Sequence, residues 1–294
     1  MDVKQMQYFL AVIDTGSVHR AAAQLFVAQP SISQSLRRLE RELGCELFHR
    51  VGRRLVLSAA GRALVEPARE LVRSLEVARA TVEAAEGLRG GRLHIASMPS
   101  QAVSPLAGLI SRFLERYPDV EVRVSTAPRP DDVCEALRAG TAELGLVAVP
   151  NGPLREPGLR VEPVEIQSFV VVARSDDDLP EGVGPIGPED LAGSRLVVGR
   201  RGTGMRRVAD AVLAANGATC RIAVEIEHRE ALLPLVLAGA GVAVVADSWA
   251  PLARSAGMAV RPLATDEELH VSLVGPTSRA SPAVDAFLRV ARQR

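Results

Sequence analysis

Cysteine, lysine and long apolar runs are scarce in this chain. Its three cysteines, Cys45, Cys134 and Cys220, are odd in number and far apart, with no Cys-x-x-Cys pair and no spaced histidines beside them. Such usage excludes a disulfide framework and a zinc site. It suits a reducing cytosol in which each thiol serves as a small buried hydrophobe. Lys4 is the sole lysine among 35 basic residues, a bias of coding composition that says nothing about function. No window holds about 18 uninterrupted apolar residues, so no membrane span is expected. The opening MDVKQMQYFL lacks the basic stretch and apolar run of a secretory signal, and a soluble, cytoplasmic protein is expected. Catalytic signatures are missing too: there is no Gly-x-Ser-x-Gly, His-Glu-x-x-His, Walker loop, or Gly-x-Gly-x-x-Gly after a strand. The segment RGTGMR lacks the Walker lysine, and the run Asp176, Asp177, Asp178 lacks the alternating spacing of a calcium loop. Neither an enzyme nor a metal or cofactor site is expected.

Net charge is zero, which as a total argues against nucleic-acid binding, but its distribution argues the other way. Up to residue 62 the chain carries Lys4, Arg20, Arg37, Arg38, Arg41, Arg50, Arg53, Arg54 and Arg62 against Asp2, Asp14, Glu40, Glu42 and Glu46, nine to five. A basic head on an acidic body is the asymmetry of a DNA-reading module joined to another domain. The 294 residues allow two domains at about 150 residues each.

The head has a readable order. Met6, Phe9, Leu10 and Ile13 recur at helical spacing, which predicts a helix from Val3 to Asp14. Gly16 ends it, and Ser17 is placed to cap a short alanine-rich helix, Val18 to Leu25. Phe26 and Val27 are expected to fill the turn. A third helix opens at Gln29–Pro30, where proline's missing N–H costs nothing. Ile32, Leu36, Leu39 and Leu43 form its inner stripe, and Pro30, Gln34, Arg37 and Arg41 lie opposite, flanked by Ser33 and Arg38. Leu47 to Arg50 and Leu55 to Leu57 read as strands around a basic tip, Val51-Gly52-Arg53-Arg54. This is a winged helix-turn-helix, the geometry that sets one helix into a major groove. From Ala59 to Glu86, Leu64, Ala68, Leu71, Leu75, Ala78, Val82 and Ala85 make a seam of spacings four and three. The seam suits a linker helix that pairs between two chains, with an amphipathic helix packed on its own chain as the alternative. Pro67 should bend the helix or weaken its first turns.

Beyond Gly91, strands Leu93–Ala96, Val120–Ser125, Leu144–Val149, Phe169–Ala173, Arg195–Gly199, Ile222–Ile226, Val242–Ala246 and Leu269–Val274 alternate with helices Pro105–Tyr117, Asp131–Ala139, Thr203–Ala215, Glu230–Ala238 and Pro282–Val290. That alternation predicts mainly parallel sheets in two α/β lobes, with a crevice at the carboxyl ends of their strands.

Taken together, GS, AAAQL, QPSIS, LRRLERELG, LFHR and LVLSAAG, followed later by LVLAGAGVAVV (Leu235 to Val245), resemble the LysR-type transcriptional regulators from about residue 1 to 290. The resemblance implies an α/β protein with an N-terminal winged helix-turn-helix at 1–58 and a linker helix at 59–88. A two-lobed effector domain resembling type 2 periplasmic-binding proteins follows, lobe I at 92–162 and 267–294 and lobe II at 163–266. It implies a homo-oligomer, a dimer or tetramer, that binds double-stranded DNA at an interrupted palindrome, contacts RNA polymerase and senses a small anionic metabolite. Val18 stands where the family commonly has an aromatic, Ala28 where it commonly has a capping Ser or Thr, and Ser58 where Thr is usual. The absent oxygen at Ala28 typically costs about 1 kcal/mol.

Gln29, Ser33, Gln34 and Arg37 are the candidate base readers, since Gln pairs bidentately with adenine and Arg with guanine. Pro30 and Ser31 suit sugar or backbone, and Arg53 and Arg54 suit phosphates or the minor groove. In the effector domain, Ser97, Ser100 and Gln101 follow a lobe I strand, while Arg201, Thr203 and Gly204, with Arg200 beside them, follow a lobe II strand and open a helix. Free N–H groups with arginine and hydroxyls make an anion site, and a carboxylate effector is expected. Simple helix capping by Ser and Thr, and solvated arginines, are the competing readings. His228 is expected to be a surface or core histidine. Two further possibilities are a solute-binding protein or enzyme on the same scaffold without DNA affinity, and a redox-sensing regulator. The latter wants two neighbouring cysteines in the second lobe, where Cys220 stands alone.

Overall fold

Asp2 opens the first helix, α1 (Val3–Thr15), through a reciprocal cap. Gln5 N–H donates to Asp2 Oδ1 at 2.8 Å, and Asp2 N–H donates to Gln5 Oε1 at 2.7 Å. The structure, a computed structural model, describes all residues except 52–53, 84–89, 151, 217–218, 278–279 and 294. At 50, 51, 54, 80, 83 and 216 it describes the backbone alone. The chain forms two compact units, Met1–Gly87 with Arg138–Thr141, and Leu88–Leu137 with Ala142–Arg294.

In the first unit, Met6, Phe9 and Leu10 of α1 are buried, and the small Ala21 and Ala22 of α2 (Val18–Gln24) join them in one core. Ser17 is the N-cap residue of α2, yet its hydroxyl makes no capping bond. The Thr15 hydroxyl holds that turn instead, accepting Ser17 N–H at 3.4 Å while bonding Ala11 O at 2.7 Å. At its other end α2 closes in a Schellman cap, with Val27 N–H to Ala22 O at 3.0 Å and Phe26 N–H to Ala23 O at 3.3 Å. That cap needs a left-handed residue, and Phe26 supplies it at φ 53°. Phe26 therefore does not fill the turn. Its ring is turned out and is 95% exposed, while Leu25 and Val27 pack inward. The left-handed backbone costs a non-glycine residue roughly 1–2 kcal/mol.

The third helix, α3 (Gln29–Leu43), buries Ile32, Leu36 and Leu39. Leu43 is exposed, because one turn past Leu39 the helix has outrun the core and Gly44, at φ 69°, ends it. Cys45 follows on that corner and is exposed, unlike Cys134 and Cys220, which are buried as expected. Strands β1 (Phe48–Val51) and β2 (Arg54–Leu57) pair antiparallel. Ser58 then caps α4 (Ala59–Glu83): its Oγ accepts Gly61 N–H at 2.9 Å and donates to Glu46 O at 2.6 Å. Helix α4 runs unbroken through Pro67. Its apolar residues divide between two faces. Leu64, Val65, Ala68 and Val72 pack into the head's core, so Leu64 and Ala68 are not free to pair between chains. Leu71 and Val82 remain exposed, and Ala85 lies outside the described residues.

The second unit begins with β3 (Arg92–Ser97), a single helical turn α5 (Pro99–Gln101), a wide turn over Ala102–Leu106, and α6 (Ala107–Arg116). Then come β4 (Glu121–Thr126), α7 (Pro130–Arg138), β5 (Leu144–Pro150) and β6 (Leu159–Gln167). The lobe boundary expected at residues 162 and 163 falls inside β6, whose pairing continues to Gln167. The chain crosses at Ser168 to β7 (Phe169–Ala173), β8 (Arg195–Gly199), α8 (Gly204–Asn216), β9 (Arg221–Ile226), α9 (Leu232–Leu237), β10 (Ala243–Ala246), α10 (Ala250–Ser255) and β11 (Ala259–Pro262). It returns through β12 (Leu269–Pro276) and α11 (Pro282–Arg292).

Lobe I has the order β4-β3-β5-β12-β6. Lobe II has β10-β7-β11 and β8-β9, joined by a bridge between Leu196 and Val242. The two orders are the same arrangement repeated. The sheets are mixed, not mainly parallel. The strands beside each crossing, β6 and β12 in one lobe and β7 and β11 in the other, pair antiparallel because the chain arrives from the opposite lobe.

Gly61 tests the wing–helix junction. A Cβ built there would lie 2.1 Å from Leu47 O, a backbone atom. Gly61→Ala is expected to destabilise the head by about 1–3 kcal/mol, measured as a lower first melting transition of the full chain.

Candidate functional site

The amino end of α3 is polar and uncapped, and its first basic residue is Arg37. Ala28 holds the N-cap position at φ −70° and ψ 137° and offers no side-chain bond; nor does Gln29 take over that role. The free N–H groups of a helix start carry partial positive charge and favour an anion. From this end Gln29, Pro30, Ser31, Gln34 and Arg37 are exposed along one side, with Ser33 half-buried beside them. The arginines of α3 are not equivalent. Arg38 Nε bonds Glu42 at 2.9 Å, a carboxylate that the Met1 ammonium also meets. Arg37 Nε meets only the Ser33 carbonyl of its own helix at 3.3 Å, and no carboxylate pairs with Arg37 among the described residues. Of the wing candidates, Arg53 lies outside the described residues, and Arg54 is described only by its backbone pairing with Val51.

In the two-lobed unit the candidates separate. Ser97, at the end of β3, is buried and bonds the adjacent Met98 O at 3.1 Å. Ser100 and Gln101 in α5 are buried where lobe I touches lobe II. Arg229, in the turn after β9, donates from Nη1 to Ser100 Oγ at 2.7 Å, and Trp249 Nε1–H donates to Ser100 O at 3.2 Å. The Gln101 amide faces that of Gln167, the last residue of β6, at 3.3–3.4 Å. Gln167 in turn reaches Ser248 Oγ at 2.9 Å. Arg201, Thr203 and Gly204 have no bond to this cluster among the described residues. Arg201 is exposed. Thr203 caps α8, accepting Arg206 N–H at 3.3 Å and donating to Arg200 O at 3.1 Å. Gly204 abuts Leu269, whose Cδ2 would lie 2.5 Å from an added Cβ. The capping alternative thus describes Thr203. Arg200 pairs with Glu227 at 3.3 Å. His228 is an exposed surface residue, 3.5 Å from Glu230.

Sequence reading missed Arg229, Gln167 and Trp249. Arg229 is 5% exposed, and no carboxylate pairs with it among the described residues. Burial alone lowers its pKa from the ordinary arginine value. A second buried arginine, Arg206, differs. It is held by Asp210 and Glu225, both at 2.7 Å, and bonds Gly199 O at 3.1 Å, which fixes the loop between β8 and α8. The signal for Arg229 was its position after a lobe II strand, where sequence reasoning weighed its neighbour His228. The Cys220 thiol is pushed up by burial, the reverse of what a redox-reactive thiol needs.

Residues 3–62 match the bacterial regulatory helix-turn-helix protein, lysR family, and residues 86–294 match the LysR substrate binding domain. The chain is 31% identical to the HTH-type transcriptional regulator TdfR of Cupriavidus pinatubonensis, over 100% of this chain and 98% of that protein. It is 31% identical to the transcriptional activator protein LysR of Escherichia coli, over 98% of this chain and 91% of that protein. Among solved structures it is similar to full-length CbnR complexed with its target DNA, with a TM-score of 0.64 and 26% identity over 100% of this chain and 99% of that one. In fold it is similar to full-length OxyR from Pseudomonas aeruginosa, with a TM-score of 0.71 and 21% identity over 99% of this chain and 95% of that one. A helix-turn-helix head carried with a two-lobed effector-binding domain defines a DNA-binding transcriptional regulator rather than an enzyme. The chain belongs to the LysR family.

The contrast between neighbouring arginines can be measured. Arg37→Ala is expected to relax sequence preference by about 1–3 kcal/mol, read from selection on a random-sequence duplex pool. Arg38→Ala should leave the preferred sequence unchanged, because its guanidinium is turned to Glu42 within the same helix.

Proposed function

We propose that this regulator works as a homo-oligomer that sets two α3 helices into major grooves of an interrupted palindrome and responds to a small anionic effector, a carboxylate, held between its lobes. Gln29, Ser33, Gln34 and Arg37 read base edges, Pro30 and Ser31 meet the backbone, and Arg53 and Arg54 reach phosphates from the wing. The head spans 1–58 and the linker 59–88, of which 84–88 lie outside the described residues. The protein acts in the cytoplasm, with RNA polymerase as a further partner.

Arg229 is the observation that carries the effector reading. A buried guanidinium without a carboxylate is costly to the fold. An anion that reaches it gains charge-assisted hydrogen bonds. Its Ser100 partner belongs to the other lobe, so one ligand touching both groups favours one lobe arrangement over another. That differential affinity is what a ligand must have to change the protein's behaviour on DNA. Ser100 stays in the proposed site with Arg229. Ser97 and Gln101 support it from the first lobe, and Arg201, Thr203 and Gly204 are kept as the second lobe's proposed contribution although they make no bond to this cluster among the described residues.

The exposed residues Leu71 and Val82, at the spacing that continues through Leu75 and Ala78, support pairing of α4 between two chains. Calorimetry with a panel of small carboxylates tests the effector reading. At least one acid should bind, and Arg229→Gln should weaken it about ten- to hundredfold, the range of a hydrogen bond to a charged group. Silence from every acid overturns it. Leu71→Glu with Val82→Glu is expected to shift the mass seen by light scattering toward the monomer; an unchanged mass overturns the linker assignment.

A further inference from the structure

The six phenylalanines are treated unequally by the fold. Phe9, Phe113, Phe169 and Phe287 are buried and Phe48 is partly buried, whereas the Phe26 ring is 95% exposed. Phe26 also occupies the backbone position least suited to it. It is the left-handed residue of the Schellman cap on α2, a position that usually holds glycine and sometimes asparagine. A bulky residue at positive φ is an outlier worth explaining. Packing does not explain it, since Leu25 and Val27 on either side supply the inward contacts. Neither local geometry nor the core therefore accounts for an aromatic ring here, and strain kept without a folding benefit points to a contact with a partner.

The position says which partner. Phe26 is three residues before Gln29, in the turn that leads through the uncapped Ala28 into α3, so this exposed ring is carried by the segment that opens that helix. In a helix-turn-helix, the amino end of that helix meets the base edges while the preceding helix crosses the backbone. We infer that Phe26 belongs to the DNA-contact surface, its ring resting on an apolar part of the duplex, a thymine methyl or a deoxyribose, at the margin of the groove that α3 enters. The inference rests on the family's DNA binding and is independent of the effector reading. Phenylalanine is suited to the task because thymine methyls are read by apolar contact.

Stability and affinity should then move in opposite directions. Phe26→Gly and Phe26→Asn in the full chain are expected to raise the melting temperature of the head, since both residues accept the left-handed backbone. On duplexes selected by the wild-type chain from a random-sequence pool, both should weaken binding about five- to tenfold, the effect of losing one modest apolar contact. The slope of affinity against salt should stay the same, because no phosphate charge is released. Repeating the measurement with uracil in place of thymine identifies the contact. If the wild-type advantage disappears, the ring lies on a methyl; if it persists, on deoxyribose. Unchanged affinity in both variants overturns the inference, as does normal DNA binding with a defect confined to transcription by RNA polymerase. A lower melting temperature for Phe26→Gly would show that the ring serves the fold, and would also overturn it. Arg37→Ala serves as the reference. If it weakens binding while the Phe26 variants do not, only this inference fails. If none of the variants has an effect, the placement of α3 in the groove fails as well.

Discussion

The two-lobed half depends on one pairing, β12 lying antiparallel between β5 and β6. The chain leaves lobe I at Ser168, builds lobe II, and must come back. The eight residues Leu269–Pro276 complete the first sheet with that return. Ladder bonds on both sides fix where the returning strand lies, and so fix where the two crossings stand. Gln101, Gln167 and Ser248 meet at the first crossing, and Gly204 packs on Leu269 at the second. The relation between the lobes is thus built from strand register and from buried polar bonds whose desolvation must be offset by good geometry.

Much of the architecture was legible in the sequence, and the reasons are local. Helices α1 and α3 carry apolar residues at helical spacing and end at Gly16 and Gly44 in left-handed conformation, where only glycine is free of strain. Ser58, which stands where the family usually has Thr, keeps the hydroxyl and caps α4 with it. The buried strands β5, β7 and β10 are continuous apolar runs. Strand β6 was missed because LRVEPVEIQ alternates with charge and contains Pro163. Helix α10 was missed because its buried residues, Ala250 and Ala253, are both small and give no apolar signal.

The site was less legible, because burial of a polar group is decided by distant segments. RGTGMR looks like an anion loop, yet its threonine is taken up with helix capping. Arg229 sits in EHRE, which reads as a solvated charge run, but the fold carries it under α5 to meet Ser100, 129 residues earlier in the chain. Periodicity placed Arg37 on the outer face of α3 with Arg38 flanking it, and could not say which of them is paired. That distinction required seeing which guanidinium Glu42 had already engaged.

The Ser58 hydroxyl has a mechanical role as well as a capping one. A single oxygen is tied to the strand base through Glu46 O and to the long helix through Gly61 N–H, within a junction where Gly61 leaves no slack against Leu47. Wing and α4 are thereby fastened as one stiff lever. A twist of α4 about its own axis, however small, is passed to the base of the strand pair, so torsion in the shaft becomes displacement at the wing.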